Sequence, residues 1–411
     1  MDKFTVSLKI CPVFNLSVMS YIERTLTPVL ERAHRIFPVV TLTGPRQSGK
    51  TTLARHCYPN IPYVNFENVQ TGMLFNQDPV GYLNSFQEGL IIDEAQLEPS
   101  VFRALQTVVD EDRYVGIKRK FIITGSSNFS IMAKSAESMA GRTMPLTLLP
   151  LSVREILNAG IDGNSDEFMF KGGYPQIWTS ETEDAEFIIQ SYIDTYVEKD
   201  LRQLLNIKDL NKFIRFLGLC AGRAGTELNK YSLAVETGVS VGTVDSWLSV
   251  LEASYVIWLL PPWSTNLNKR LTKSPKLYFC DTGILCSLLG IREASQLANF
   301  PLRGAIFENM VANNFLKAFY NVGRKPAMTF YRDKTGREID FVIETAAGLH
   351  LIEAKASTGF NPDFLRNIRY FEKTFPDKVV SSAVIYNGPD QIIPSATSLF
   401  NFRSSIPLDN L

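Results

Sequence analysis

The chain has 411 residues, 45% of them apolar and 20% charged, with 42 basic and 42 acidic side chains. That length accommodates several cores, and the composition is that of an ordinary globular protein rather than a disordered or fibrous one. A net charge of zero provides no global field toward nucleic acid or a membrane surface, so any polyanion contact must come from local patches.

In chain order, residues 1–20 read as an N-terminal extension. Asp2 and Lys9 flank no clean signal-peptide core, and Met19 stands directly before the first predicted helix, 21–35. From 21 to 151, short apolar strands at 39–42, 63–67, 90–93, 121–124 and 144–148 alternate with helices such as 101–110 and 131–140. This pattern predicts a parallel sheet covered by helices. Residues 152–224 are strand-poor and helical, with 185–205 the longest periodic piece, as expected of a lid beside a nucleotide-binding core. Residues 225–293 show a helix at 229–237, a turn at Gly238, a second helix at 241–255 and a strand at 256–260, a winged-helix pattern. Residues 294–411 form a second α/β unit, with helices at 306–319 and 361–375 and strands at 329–332, 339–344, 349–354 and 380–386. No apolar run is long enough to span a bilayer. Five scattered cysteines without a C-x-x-C pair, and only three histidines, leave no zinc cluster and fit a reducing cytoplasm.

The most specific signal is TLTGPRQSGKTT at 41–52, a G-x-x-x-x-G-K-[ST] loop with Gly44, Gly49, Lys50 and Thr51 at the fixed positions. Glycines let the backbone approach phosphate closely, and successive N–H groups at a helix start form an anion site. Gly44, Pro45, Arg46, Gln47, Ser48, Gly49, Lys50, Thr51 and Thr52 are thus the expected ATP contacts. Lys50 is expected on the β- and γ-phosphates and the Thr51 hydroxyl on Mg²⁺. The strand GLIIDE at 89–94 ends in two carboxylates: Asp93 to hold Mg²⁺, usually through water, and Glu94 to polarise the attacking water as a general base. The strand FIITGSSN at 121–128 ends where a γ-phosphate sensor sits in the additional-strand class of P-loop ATPases, with Asn128, Ser126 and Thr124 as candidates. Arg142 is a candidate for transition-state charge, from its own or a neighbouring subunit.

These residues, together with IDEAQ at 92–96, AGR at 140–142, GGYP at 172–175, KSPKLYF at 273–279 and DTG at 281–283, carry a family resemblance. From Tyr21 to the end the chain resembles bacterial and archaeal AAA-type ATPases that carry a domain of unknown function after the ATPase core. The resemblance implies ATP binding and leaves the biological role open.

A second constellation lies in the last unit. GREIDFVI at 336–343 and LIEAK at 351–355 place Asp340 on one strand and Glu353-x-Lys355 on the next, which resembles the PD-(D/E)xK nuclease core. Glu308, on the preceding helix, matches the acidic residue many members of that group place there. Period-two alternation puts Glu353 and Lys355 on one strand face. Asp340 and Glu353 are the expected Mg²⁺ ligands, and Lys355 would orient the water. The expected fold class is therefore α/β: a P-loop core with a parallel sheet, a helical lid, a winged-helix domain and a restriction-endonuclease-like C-terminal domain. The winged-helix stretch 225–276 holds five Lys/Arg against four Asp/Glu. Its second helix carries Asp245 and Glu252 and no base, which suits a DNA groove poorly. Two functions compete. One couples ATP state to a nuclease-like domain acting on DNA or RNA. The other is a regulatory ATP-binding switch whose C-terminal domains bind a protein partner without cleavage. A homo-oligomer is compatible with either.

Overall fold

The computed structural model describes residues 21–125, 139–180, 184–195, 209–266, 273–392 and 397–404. The expected extension 1–20, the sensor candidates Ser126 and Asn128, and all but the last two residues of the helix expected at 131–140 lie outside these residues.

The first unit holds β1 (Val39–Thr43), β2 (Tyr63–Asn65), β3 (Gly89–Asp93), β4 (Lys120–Gly125) and β5 (Thr143–Thr147) in one parallel sheet of order β2-β3-β4-β1-β5. β4 is inserted between β1 and β3, the arrangement expected of the additional-strand class. Every residue of β1 and β3 is buried, because helices cover both faces and leave no solvated side to alternate toward. On one face Leu90, Ile92, Phe121 and Ile123 pack against Val101, Phe102, Leu105 and Val108 of the Ser100–Val115 helix. On the other, Val40 and Leu42 meet Leu30 of the Thr27–Ile36 helix and Leu53 of the Lys50–Cys57 helix. Each such side chain contributes roughly 1.5–3 kcal/mol by leaving water.

The helices of 153–221 and the pair Lys230–Thr237 and Val241–Ala253 share a single apolar core rather than separate ones. Of the helix expected at 185–205, Ala185–Tyr192 is observed, and 196–205 lie outside the described residues. After the pair come β6 (Ile257–Leu260) and β7 (Lys276–Phe279), an antiparallel two-stranded sheet.

The last unit is a six-stranded mixed sheet of order β12-β13-β11-β10-β9-β8, with the Arg303–Asn321 helix on one face and the Arg366–Thr374 helix on the other. Its strands are β8 (Met328–Arg332), β9 (Glu338–Thr345), β10 (Gly348–Lys355), β11 (Val379–Tyr386), β12 (Gln391–Ile392) and β13 (Thr397–Asn401). Alternation divides β9 and β10 between two cores: Phe341, Ile343 and Ile352 face the Arg303–Asn321 helix side, while Val342, Leu349 and Leu351 face Ile368 and Phe371. The short β12 and β13 carry no strong sequence signal and were not expected. No helix among the described residues is long and apolar enough to cross a membrane.

Candidate functional site

The loop 44–49 runs from the carboxyl end of β1 into the Lys50–Cys57 helix, which is where open α/β sheets place their ligands. Its backbone needs positive φ at Gly44 (146°), Gln47 (59°) and Gly49 (92°). A Cβ on Gly44 would stand 2.1 Å from the Leu148 carbonyl oxygen, so only glycine fits there. Lys50 is buried, its Nζ donating to the carbonyl oxygens of Gly44 (3.0 Å) and Pro45 (2.6 Å). Burial lowers its pKa to about 8, against the pull of Glu94 and Asp93. The Ser48 hydroxyl is buried with no hydrogen-bond partner among the described residues.

Three hydroxyls converge on Asp93. Thr51 Oγ1 and Tyr63 OH each donate to Oδ2 at 2.8 Å, and Thr124 Oγ1 donates to Oδ1. Thr124, one of the three sensor candidates, therefore lies one strand over from Asp93 and bonds to it. Glu94 follows with left-handed backbone (φ 51°), a conformation costly outside glycine and concentrated at functional sites. Gln96 donates to its Oε2. Glu94, Lys50, Thr51, Thr52, Arg46 and Gln47 line one cleft of about 570 Å³.

The cleft is also lined by residues not singled out as ligands in the sequence: Tyr21, Ile22 and Arg24 before the first helix, Pro175 of the GGYP motif, and Gln176 and Thr179 just after it. Arg24 is buried. It donates to the loop carbonyl of Ser48 (2.8 Å) and to that of Leu149 (2.6 Å), and it pairs with Glu155 (3.2 Å). No spacing rule marks an arginine 20 residues ahead of Gly44; its partners are visible only in three dimensions.

Arg142 lies elsewhere. Thr143 pairs with Val39 at the amino end of the sheet, so Arg142 is separated from the loop by the length of β1, about 13 Å. Its guanidinium holds Asp110 in a fork at 2.6 and 2.8 Å. Within one chain it does not reach the cleft.

Asp340, Glu353 and Lys355 lie together in the last unit, while the three carboxylates that converge within 4.8 Å are those of Glu308, Glu338 and Asp340. The antiparallel register of β9 and β10 runs from Gly348↔Thr345 to Ile352↔Phe341, and its next step sets Asp340 across from Glu353. Lys355 Nζ bridges them, 3.4 Å from Asp340 Oδ2 and 2.5 Å from Glu353 Oε2. The Ala354 N–H donates to Asp340 Oδ2 at 2.9 Å. Glu308 approaches from the Arg303–Asn321 helix, and burial, then Asp340, pushes its pKa up to about 7. Burial and Asp340 likewise push Glu353 up to about 8. Burial alone would raise Asp340, but Lys355, Lys276 and the Ala354 N–H outweigh it and hold it below the ordinary carboxylate range.

Three further members come from outside the expected set. Lys276 on β7 places Nζ 2.9 Å from Glu308 and also on Glu338, and Tyr278, two residues along the same strand face, donates to Glu308 at 2.6 Å. Glu338, two residues before Asp340, brings a carboxylate oxygen within 4.8 Å of those of Glu308 and Asp340. The E-x-D spacing on β9 is the signal that could have identified it.

Comparison with known proteins matches an AAA domain to residues 37–157, a Domain of unknown function (DUF8612) to 163–295 and a Domain of unknown function (DUF4143) to 303–399. An uncharacterized protein of Haemophilus influenzae is 24% identical over 338 residues, 75% of this chain and 80% of that protein. Among solved structures, a Walker-type ATPase of Pyrococcus abyssi shares 14% identity at a TM-score of 0.44, covering 65% of this chain and 96% of that one. An uncharacterized protein of Mycobacterium tuberculosis is 31% identical over 369 residues, 87% of this chain and 79% of that protein. The chain belongs to the family of that mycobacterial protein, and its first unit is an AAA domain of the P-loop ATPase fold.

Proposed function

We propose that the chain binds Mg-ATP in the cleft above β1 and hydrolyses it. The observation that carries this reading is the 2.8 Å Thr51–Asp93 hydrogen bond beside the buried Lys50, with Glu94 lining the same cleft. The loop N–H groups and Lys50 suit the β- and γ-phosphates, and the unpartnered Ser48 hydroxyl suits the same anion. Thr51 and Asp93 would hold Mg²⁺, which when bound neutralises charge on the phosphate oxygens. Glu94 takes a proton from water as the water oxygen bonds to the γ-phosphorus and the bond to the β–γ bridging oxygen breaks. Tyr21, Ile22 and Pro175 offer an apolar wall for the base. Asn128 keeps its proposed role as phosphate sensor. Arg142 could act only on the nucleotide of a neighbouring chain, which requires a homo-oligomer. Titration calorimetry tests the loop assignment: Lys50→Ala should weaken ATP binding at least tenfold in a folded protein. Unchanged affinity would overturn it.

A second reading concerns the last unit: a nuclease-like site on Asp340, Glu353 and Lys355, with Glu308, acting on DNA or RNA under control of the ATPase. The bridging of both carboxylates by Lys355 supports it. Asp340→Ala should abolish any Mg²⁺-dependent strand cleavage while sparing ATP turnover. If the parent cuts neither DNA nor RNA under any nucleotide condition, the partner-binding switch is the better account.

A further inference from the structure

The carboxylate cluster of the last unit is completed by a cation that this unit does not own. Lys276 lies on β7, inside the stretch matched by DUF8612, whereas Glu308, Glu338 and Asp340 lie within that matched by DUF4143. Its side chain is only 1% exposed and its ammonium sits on Glu308 and Glu338, while Tyr278 from the same strand holds the same Glu308 oxygen. The oxygens of Glu308, Glu338 and Asp340 lie within 4.8 Å of one another, matching the span of opposed ligands around a calcium-sized ion, about 5 Å.

Fully ionised, the cluster is short of positive charge, and burial beside Asp340 accordingly holds Glu308 and Glu353 above the ordinary carboxylate range. Four carboxylates, those of Glu308, Glu338, Asp340 and Glu353, face two lysines, Lys276 and Lys355; Arg332 reaches Glu338 from the rim at 3.5 Å. Independently of that sum, the Glu353 Oε1 atom is buried with no hydrogen-bond partner among the described residues, in a residue 1% exposed. That oxygen lies beside Asp340 and Glu308, where either a proton or a bound cation would satisfy it.

We propose that Glu308, Glu338 and Asp340 form a divalent-cation site for which Lys276 is the built-in competitor. Lys276 and the ion use the same oxygens, so each weakens the other. Seating β7 closes the site, and filling the site releases β7. By reciprocity, any event that shifts the middle unit changes cation affinity by the same factor that the cation changes the middle unit. The proposal rests on reading these carboxylates as a cation cluster, and it does not require that the site cut nucleic acid.

The test uses the full chain without nucleotide, titrated with Mn²⁺ and read by the electron paramagnetic resonance of the free ion. An Asp93→Asn background removes the contribution of the ATP cleft. Lys276→Met keeps the apolar stem and should bind Mn²⁺ at least tenfold more tightly than the parent; adding Asp340→Asn should remove the gain. Lys276→Arg should stay at the parent affinity. Equal or weaker binding by folded Lys276→Met, or a gain that survives Asp340→Asn, overturns the proposal. Hydrogen exchange on the protein with Lys276 intact gives a readout independent of how Lys276→Met folds. Saturating Mn²⁺ should raise amide exchange across Lys276–Phe279, and not in Asp340→Asn; unchanged exchange at saturation overturns the proposal. Cleavage enters neither readout, so a chain that binds Mn²⁺ as described yet cuts no DNA or RNA would refute the nuclease reading alone.

Discussion

Single residues in this protein are held in charge states they would not keep in water. Glu353 and Glu308 are pushed up to about 8 and about 7, by burial first and by Asp340 second. An acid whose folded pKa is raised stabilises the fold below its unfolded value, and that stability is lost as pH rises through the folded value. In metal-free buffer the chain should therefore lose stability between about pH 5 and about pH 8. Glu353→Gln should flatten that decline, as read by denaturant midpoints across the range. A parent whose midpoint is flat or rising over this window would contradict the raised, buried state of Glu353. Asp340, Glu353 and Lys355 were readable in the sequence because one strand fixes the face of alternate residues. Lys276, Tyr278 and Arg24 were not, since each meets its partners across more than twenty positions of chain and no local period encodes that meeting.

At the scale of elements, strands were the most readable part. β3 and β4 are apolar runs bounded by Gly or charge, β1 is a buried Val/Leu strand interrupted by Thr41 and Thr43, and a buried parallel strand leaves little other pattern. β12 and β13 were missed because the first has two residues and the second mixes Thr, Ser and Asn with its apolar positions. The GGYP and DTG motifs had no evident mechanism in the sequence, and the structure supplies one by joining them. Asp281 caps the Thr282–Leu288 helix through the N–H groups of Gly283 (2.9 Å) and Ile284 (3.3 Å), and it also accepts from Gly173 N at 2.7 Å. Gly173 must lack a side chain, because a Cβ would stand 2.3 Å from the Leu151 carbonyl oxygen. Lys317, buried on the Arg303–Asn321 helix, donates to that same Leu151 oxygen at 2.8 Å and balances Asp281. Asp281→Ala would strand three N–H groups and a buried ammonium, at a cost of about 3–5 kcal/mol in the unfolding free energy. A loss below about 1 kcal/mol in urea melts would show that these partners find water instead.

On the scale of the whole molecule, the ATP loop is fastened to the units that follow it. Thr43, the last residue of β1, shares a 3.1 Å hydrogen bond with Tyr255, and Arg24 ties the loop to Glu155, the residue that boxes the start of the Val153–Asn158 helix. The Arg303–Asn321 helix carries Lys317 toward that region and Glu308 toward the carboxylate cluster. A change of shape in the loop therefore has a continuous packed route toward the second constellation. Such a route matters only if the loop is a working ATPase. Phosphate release under saturating Mg-ATP, compared between the parent and Glu94→Gln with ATP binding measured on both, tests that most directly. Parental turnover, with a fall of about 10²–10⁴-fold in Glu94→Gln at unchanged ATP affinity, is the predicted result. A parent that binds ATP without releasing phosphate, or a Glu94→Gln protein that turns over at the parental rate, would contradict it.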